Sequence, residues 1–346
     1  MQLYMLDPLA ESRWSDLAAT HPKASVFHQP GWLKALAKTY RYRATALTST
    51  PPGEPLSDGL VFCEVKSSIT GNRLVSLPFT DHAELLLNEN STSSAFLEWL
   101  RTEYRQHNWR YLELRPSSVT VDFRDSLQPS QSFWLHTLDL TPSIDQLFRN
   151  FHKSCIQRRI CHAERQGLTY EKGASNEILD EFYRLLIINR KRFRLLPQPR
   201  AWFQNLIECM KHNAEIRLVR KDGVAVAAIL TLRHRKTVVY KYGCSDESFH
   251  HLAGMPFLFW RLIEESKAEG VKTIDFGRTD LDNDGLVRFK GHFGAVRQRL
   301  NYFRYAVKER DRTAARTDMP LARALFSILP SALSSGAGRL VYRHMG

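Results

Sequence analysis

The chain lacks any apolar run of about 18 residues, the length a membrane-crossing helix requires, so no transmembrane helix is expected. The opening residues Met1 to Pro8 carry neither a basic stretch nor a long apolar core, which argues against a secretory leader. Its five cysteines, at positions 63, 155, 161, 209 and 244, are odd in number and irregularly spaced. They fit reduced thiols in a cytoplasmic protein better than a disulfide framework. Neither Cys155 nor the Cys161-His162 pair shows zinc-site spacing with further partners, so no metal is expected. A Gly-x-Ser-x-Gly elbow is missing, which removes the commonest serine-hydrolase arrangement. Long heptad segments are missing too.

What is present is an ordinary globular composition, 43% hydrophobic and 25% charged over 346 residues, long enough for two domains that each bury a core. The net charge of +13 is concentrated. Residues 1–140 hold 13 Lys/Arg against 15 Asp/Glu, whereas residues 141–310 hold 31 against 19 and residues 311–346 hold 5 against 2. A positive field over the second half favours polyanions: a phosphorylated cofactor, RNA or an anionic membrane surface.

Periodicity predicts intermixed helices and strands throughout, an α/β or α+β pattern. In the first 140 residues a helix is expected from Pro30 to Tyr40, strands at 44–48, 59–66 and 73–77 with another at 85–87, a helix over 93–107, and strands at 111–115 and 133–138. The second part, 141–310, predicts one helix over 144–166, a strand at 168–172, and helices over 177–192 and 201–211. Strands at 216–221, 225–234 and 237–243 follow, with Asp222-Gly223 as a hairpin turn. A helix over 256–269, a strand at 272–276 and a last strand at 298–308 complete it. Residues 311–346 read as a basic amphipathic tail: a packing helix, a lid or a membrane-surface contact.

The densest chemistry lies in Thr273 to Gly294. A short strand runs into a polar, glycine-punctuated loop carrying Asp275, Arg278, Asp280 and Lys290 between aromatic anchors. Loops at the ends of buried strands are where α/β proteins handle ligands; a solvated charged loop is the alternative. Upstream, Tyr240-Lys-Tyr242 alternates on a strand, so the two tyrosines are expected on one face and Lys241 on the other.

The order helix, helix, three antiparallel strands, glycine loop, helix, strand resembles the GNAT acyl-CoA N-acyltransferase architecture. The blocks Lys153 to Leu168, Tyr240 to Asp246, Asp275-Phe-Gly-Arg278, Phe289 to Gly294 and, in the first part, Ser76 to His82 resemble the FemAB-related branch of that superfamily. This resemblance implies two tandem GNAT-like domains, the first degenerate, acting in cell-envelope or exopolysaccharide biosynthesis. It implies acyl-CoA as co-substrate, an amine acceptor on a saccharide or peptide that can be lipid-linked, and aminoacyl-tRNA as the rival donor. The rival is weakened by the lack of a coiled-coil insertion. A non-catalytic module binding an anionic polymer is the reading from another class.

On this resemblance Lys290, Asp275 and Arg278 are the catalytic candidates. Lys290 supplies positive charge to a phosphate or to the oxyanion of an acyl-transfer intermediate, Asp275 orients or deprotonates the amine, and Arg278 binds a carboxylate or phosphate. Cys244, Ser245, His251, Gly254 and Met255 are the donor-binding candidates, at a loop whose backbone N–H groups face a pyrophosphate. Pro256 removes one of those donors. Asp81, His82, Lys241 and Tyr242 are the acceptor candidates. Lys290→Ala is expected to lose turnover and keep its fold.

Overall fold

The computed structural model describes residues 2–88, 93–118, 127–312 and 341–346. The chain divides into two units. One contains residues up to Phe133 together with 300–312 and 341–346, and the other runs from Trp134 to Arg299. Most of the basic tail expected at 311–346 lies outside the described residues.

In the first unit the elements are β1 (Tyr4–Leu6), α1 (Ser12–Thr20), α2 (Pro30–Tyr40), β2 (Arg43–Thr48), β3 (Leu60–Val65), β4 (Arg73–Val75), α3 (Ser93–His107), β5 (Tyr111–Leu114) and the start of β6 (Gln128–Asp139). The second holds the rest of β6, then α4 (Ile144–Asn150), α5 (Arg158–Glu164), β7 (Thr169–Gly173), α6 (Asn176–Arg192), α7 (Arg200–Met210), β8 (Ala214–Lys221), β9 (Val224–His234), β10 (Thr237–Ser245), α8 (Gly254–Ala268), β11 (Thr273–Asp280) and α9 (Asp284–His292). The last strand, β12 (Val296–Tyr305), begins in the second unit and ends in the first.

The two units repeat one topology. In the first, β1 to β4 pair antiparallel in succession, and β4 then pairs parallel with β5 across the α3 connection. In the second, β7 to β10 do the same and β10 pairs parallel with β11 across α8. A strand from elsewhere in the chain completes each sheet: β12 against β5, and β6 beside β11. The architecture is therefore α/β with tandem GNAT-like sheets, as the element order implied.

In the second unit α8 packs on one sheet face with α4 and α5, around Phe151, Phe257, Phe259, Trp260, Phe276 and Phe293. On the other face Phe182, Phe203 and Tyr242 make edge contacts at 5.0 to 5.2 Å. The hairpin turn forms as expected, with Asp222 and Gly223 both at positive φ (50° and 80°), the geometry that suits a two-residue turn.

Three local expectations fail for physical reasons. The single helix over 144–166 breaks: Phe151 leaves α4 in extended geometry (φ −69°, ψ 149°), and residues 153–157 form a π-helical turn before α5. There the His152 backbone N–H donates to His292 O (2.8 Å), a long-range bond that periodicity cannot reveal. Second, the presumed loop after Phe276 is the continuation of β11 to Asp280, followed by α9, whose N-cap Asn283 accepts from the Leu286 N–H. Third, Tyr240 and Tyr242 do not share a face. A register shift between them interrupts the pairing with β9, so Tyr240 meets Phe259 of α8 (4.8 Å) while Tyr242 meets Phe203 of α7.

That bulge needs a glycine beside it. A Cβ on Gly243 would run into the Tyr240 hydroxyl and lie 2.8 Å from its Cζ. Gly243→Ala is expected to cost about 1–3 kcal/mol, the usual penalty for overpacking. Urea unfolding at neutral pH measures it, and an unchanged midpoint would mean the ring relocates freely.

Candidate active site

The parallel partners β10 and β11 pair only from Thr237↔Thr273 to Val239↔Asp275, although they run on to Ser245 and Asp280. Their C-terminal halves therefore run on without a shared register. The carboxyl end of a parallel pair is where open α/β sheets accept ligands.

At this end of β11 sits Lys290, projected from α9 and only 2% exposed. Its ammonium donates to Gly277 O (3.0 Å), Arg278 O (3.1 Å) and Thr279 Oγ1 (2.8 Å). Three acceptors for three protons is what a buried ammonium requires. Sequence reasoning placed Lys290 in an exposed loop and expected Lys290→Ala to leave the fold intact. A lysine that is itself buried and bonded to three acceptors runs against that expectation, since its removal takes a donor from two carbonyls and a hydroxyl.

Asp275 is also buried and its Oδ1 accepts the Gly277 N–H (2.7 Å), bending the strand where Gly277 takes φ +70°. Arg278 contributes its carbonyl to Lys290, while its side chain is exposed. The structure thus brings Lys290 and Asp275 together at the strand end and leaves the Arg278 guanidinium on the outside.

Sequence reasoning missed His136, on the neighbouring β6. It is 1% exposed, its Nδ1 lies 3.5 Å from Thr279 Oγ1, and its Nε2 has no hydrogen-bond partner among the described residues. Burial first, then the charges of Lys290 and Arg297, lower its pKa from 6.5 to about 4, with Asp275 opposing. A neutral histidine is thereby held beside a buried lysine and a buried aspartate. Only the placement of β6 beside β11 could have revealed it, because residues 133–138 read simply as a strand.

At the donor end, α8 starts at Gly254 after Ala253 in left-handed geometry (φ 59°). The first-turn N–H groups of a helix have no intrahelical acceptor, so Gly254 and Met255 present theirs while Pro256 has none. Two basic side chains of α5 clasp the preceding turn: Arg159 donates to His250 O (2.7 Å), and His162 Nε2 lies 3.1 Å from His251 O. The Ser245 hydroxyl lies 3.0 Å from His250 Nε2, and the His251 side chain is exposed. Cys244 differs from its expected role. Its thiol is buried against Phe182 O (3.6 Å), with its pKa pushed up by burial, so no side-chain contact with a donor is available to it.

Of the acceptor candidates, Tyr242 is buried and its hydroxyl accepts from Trp202 Nε1 (2.9 Å), a packing role on the α7 face. Lys241 occupies the bulge, half-buried, its ammonium 5.7 Å from the Tyr242 ring centre. Asp81 and His82 belong to the first unit. There Tyr302 donates its hydroxyl proton to Asp81 O (2.6 Å), and the His82 ring meets Phe27 edge-on at 5.6 Å. The turn leading to them is strained, since Leu77 and Phe79 both sit at positive φ (58° and 62°) without being glycine; such conformations persist only where surroundings enforce them. Arg115 does so by donating to Leu77 O (3.2 Å) while stacking on Tyr302 (5.0 Å).

With this geometry in view, the comparison with known families is direct. Residues 150–291 match the family model of the acetyltransferase (GNAT) domain. That stretch spans the π-turn, the meander, α8, β11 and most of α9. The crystal structure of FemX shares the fold: it superposes with a TM-score of 0.71 at 14% identity, covering 94% of this chain and 100% of that one. The C-terminal domain assigned to a lysylphosphatidylglycerol synthetase from Agrobacterium fabrum gives 0.58 at 14% identity, covering 90% and 95%. A tandem GNAT protein from the clavulanic acid biosynthesis pathway gives 0.56 at 12%, covering 89% and 99%. No curated protein matches the sequence. At these identities the likeness is one of fold. Among the described residues no helix is long and apolar enough to cross a membrane.

The buried histidine has a measurable signature. The folded chain binds a proton at His136 less readily than the unfolded chain, so the neutral ring contributes full stability above pH 6.5. That contribution is lost as the pH falls from 6.5 towards 4. Between pH 7 and pH 4.5 the expected loss from this residue is roughly 2–3 kcal/mol. Chemical denaturation of the wild type and His136→Gln at the two pH values tests it. Equal acid sensitivity in both proteins would contradict the burial of a neutral ring.

Proposed function

We propose that the protein is an N-acyltransferase that passes an acyl group from acyl-CoA to an amine acceptor in cell-envelope or exopolysaccharide biosynthesis. The observation that carries this reading is the buried Lys290 ammonium at the end of β11, beyond the last residue pair that β11 shares with β10. A fixed positive charge there favours the negative charge that develops on an acyl oxygen during attack. The match of residues 150–291 to the GNAT domain supports the reaction class.

In this mechanism the acceptor nitrogen attacks the thioester carbonyl, a C–N bond forms, and the C–S bond breaks to release the CoA thiol. Chemistry of this kind needs alignment, a route for the amine proton and charge stabilisation, with no covalent enzyme intermediate. Asp275 accepts or relays the amine proton. Lys290 acts as a positioning and electrostatic group, because its protons are committed to Gly277, Arg278 and Thr279. Arg278 reaches outward to an anionic portion of a substrate. The amides of Gly254 and Met255 meet the donor phosphates.

A second reading, an aminoacyl-tRNA donor, is favoured by the excess of 31 basic over 19 acidic residues in 141–310 and by the likeness to FemX. The likeness to a lysylphosphatidylglycerol synthetase domain makes a lipid-linked acceptor a natural member of the test panel. Both readings place the protein on the cytoplasmic side, where these donors are found.

Thermal-shift and transfer assays with acyl-CoAs and aminoacyl-tRNAs separate the donors. Acyl-CoA binding with thiol release on amine addition is expected; transfer that vanishes on RNase treatment would install the second reading instead. Lys290→Met should lower kcat about 100-fold, the scale of losing one charge-stabilising group, when assayed below its melting transition. Turnover at the wild-type rate in that variant sinks the site assignment.

A further inference from the structure

The break in the helix predicted over 144–166 creates a second cluster. His152 and Cys155 flank the start of the π-helical turn, and His292 closes α9. One ligand atom from each, two imidazole nitrogens and a thiol sulfur, lies within 4.8 Å of the other two. The two rings stand 4.4 Å apart, tilted by 46°. The cluster is built into the fold. His152 N–H donates to His292 O (2.8 Å), and beneath the two histidines the adjoining Phe151 and Phe293 pack edge-to-face at 5.3 Å in the core. His152 and Cys155 are exposed and His292 is half-buried, so the site opens to solvent.

We propose that His152, Cys155 and His292 bind a divalent zinc ion, with the fourth position open to water or an anion. Two imidazoles and a thiolate form a borderline-soft donor set that suits zinc, which takes three protein ligands plus an open position in many sites. A tetrahedral zinc ion separates its ligand atoms by roughly 3.3–3.8 Å, so the exposed side chains must close by about 1 Å, within reach of a rotamer adjustment. In the metal-free chain His152 Nδ1 accepts the Cys155 N–H (3.2 Å). Ligation through Nε2 requires a proton on Nδ1, and the Ser154 hydroxyl 3.4 Å away can accept it. The Cys155 amide, at an exposed turn, is then satisfied by water. Zinc here replaces the thiol proton, which passes to solvent, and no redox step is involved.

The spacing argument against a metal considered only ligands close in sequence. His292 arrives from α9, the helix that also carries Lys290, so a bound ion would tie the α4–α5 junction to the helix of the proposed active site. The site is independent of the acyltransferase reading and is tested without an activity assay.

Tag-free protein is dialysed against zinc and its metal content measured, and cobalt is titrated in to look for thiolate-to-cobalt charge-transfer absorption. One zinc per chain is expected in the wild type and in Cys161→Ser, whose thiol is exposed but outside the cluster. Cys155→Ser should abolish the cobalt–thiolate band, and His292→Ala should weaken zinc binding at least tenfold. Circular dichroism confirms that each variant is folded. A wild-type chain that retains no zinc, or variants that retain as much as the wild type, would overturn the proposal.

Discussion

A buried ammonium is among the most expensive groups a fold can hold, because desolvation must be offset by near-complete hydrogen bonding. Lys290 meets that demand with two carbonyls and a hydroxyl from three consecutive residues of β11. Much of the second unit follows from it. α9 must lie against the end of β11 to deliver the side chain, which carries Phe289 and Phe293 onto Phe259 of α8 at 5.6 and 5.4 Å. The strand must expose the Gly277 and Arg278 carbonyls in the right direction, which the Asp275 bond to the Gly277 amide and the positive φ of Gly277 achieve. The same charge helps to keep His136 neutral. One ammonium therefore fixes a helix, a strand end and a protonation state.

The first unit places a buried acid at the corresponding position and resolves it differently. In each unit the last residue pair of the parallel partners matches a valine with a buried carboxylate: Val75 with Glu113, and Val239 with Asp275. Glu113 is held by Arg115 (2.8 Å) and Arg304 (2.6 Å), and although burial pushes its pKa up, the two guanidiniums bring it below the ordinary value. Such a carboxylate is committed to structure, since without the two arginines it would be an uncompensated buried charge. Asp275 instead accepts a backbone amide, that of Gly277, at the strand end where the Lys290 protons are already placed. The repeated topology thus carries an acid locked between guanidiniums in one unit and an acid set on a strand bend in the other. That difference is the physical basis for placing the chemistry in the second.

The fold class was legible because its signals are local: alternation in β8 to β10, the Asp222-Gly223 turn, and the apolar face of α8. The candidate site was legible in part. Asp275 and Lys290 stood out as charged residues between aromatics, and both lie at the strand end. Their burial was not legible, since that depends on α9 folding back over β11, and a sequence of glycines and acids reads equally well as a loop. His136 and His292 gained their significance only from strand order and a long-range backbone bond. Tyr242 was misread because one bulge residue reverses the facing of everything after it.

Gly254 illustrates how one glycine can answer two demands. A glycine ahead of a helix invites a phosphate-binding interpretation, because it lets a ligand approach the backbone. Here a Cβ at Gly254 would lie 3.1 Å from the Ala227 Cβ and 3.6 Å from Val226 Cγ2, so close packing of α8 on β9 already demands the glycine. The more specific feature of this loop is the clasp from α5, in which Arg159 and His162 engage the carbonyls of His250 and His251. The first-turn amides of α8, those of Gly254 and Met255, lie at the positive end of the helix dipole. With Pro256 unable to contribute, the proposed donor site has two amides and the neighbouring basic side chains to offer a phosphate. The shape of that loop therefore rests on α5 as well as on the glycine, and α5 begins at the π-turn that His152 caps.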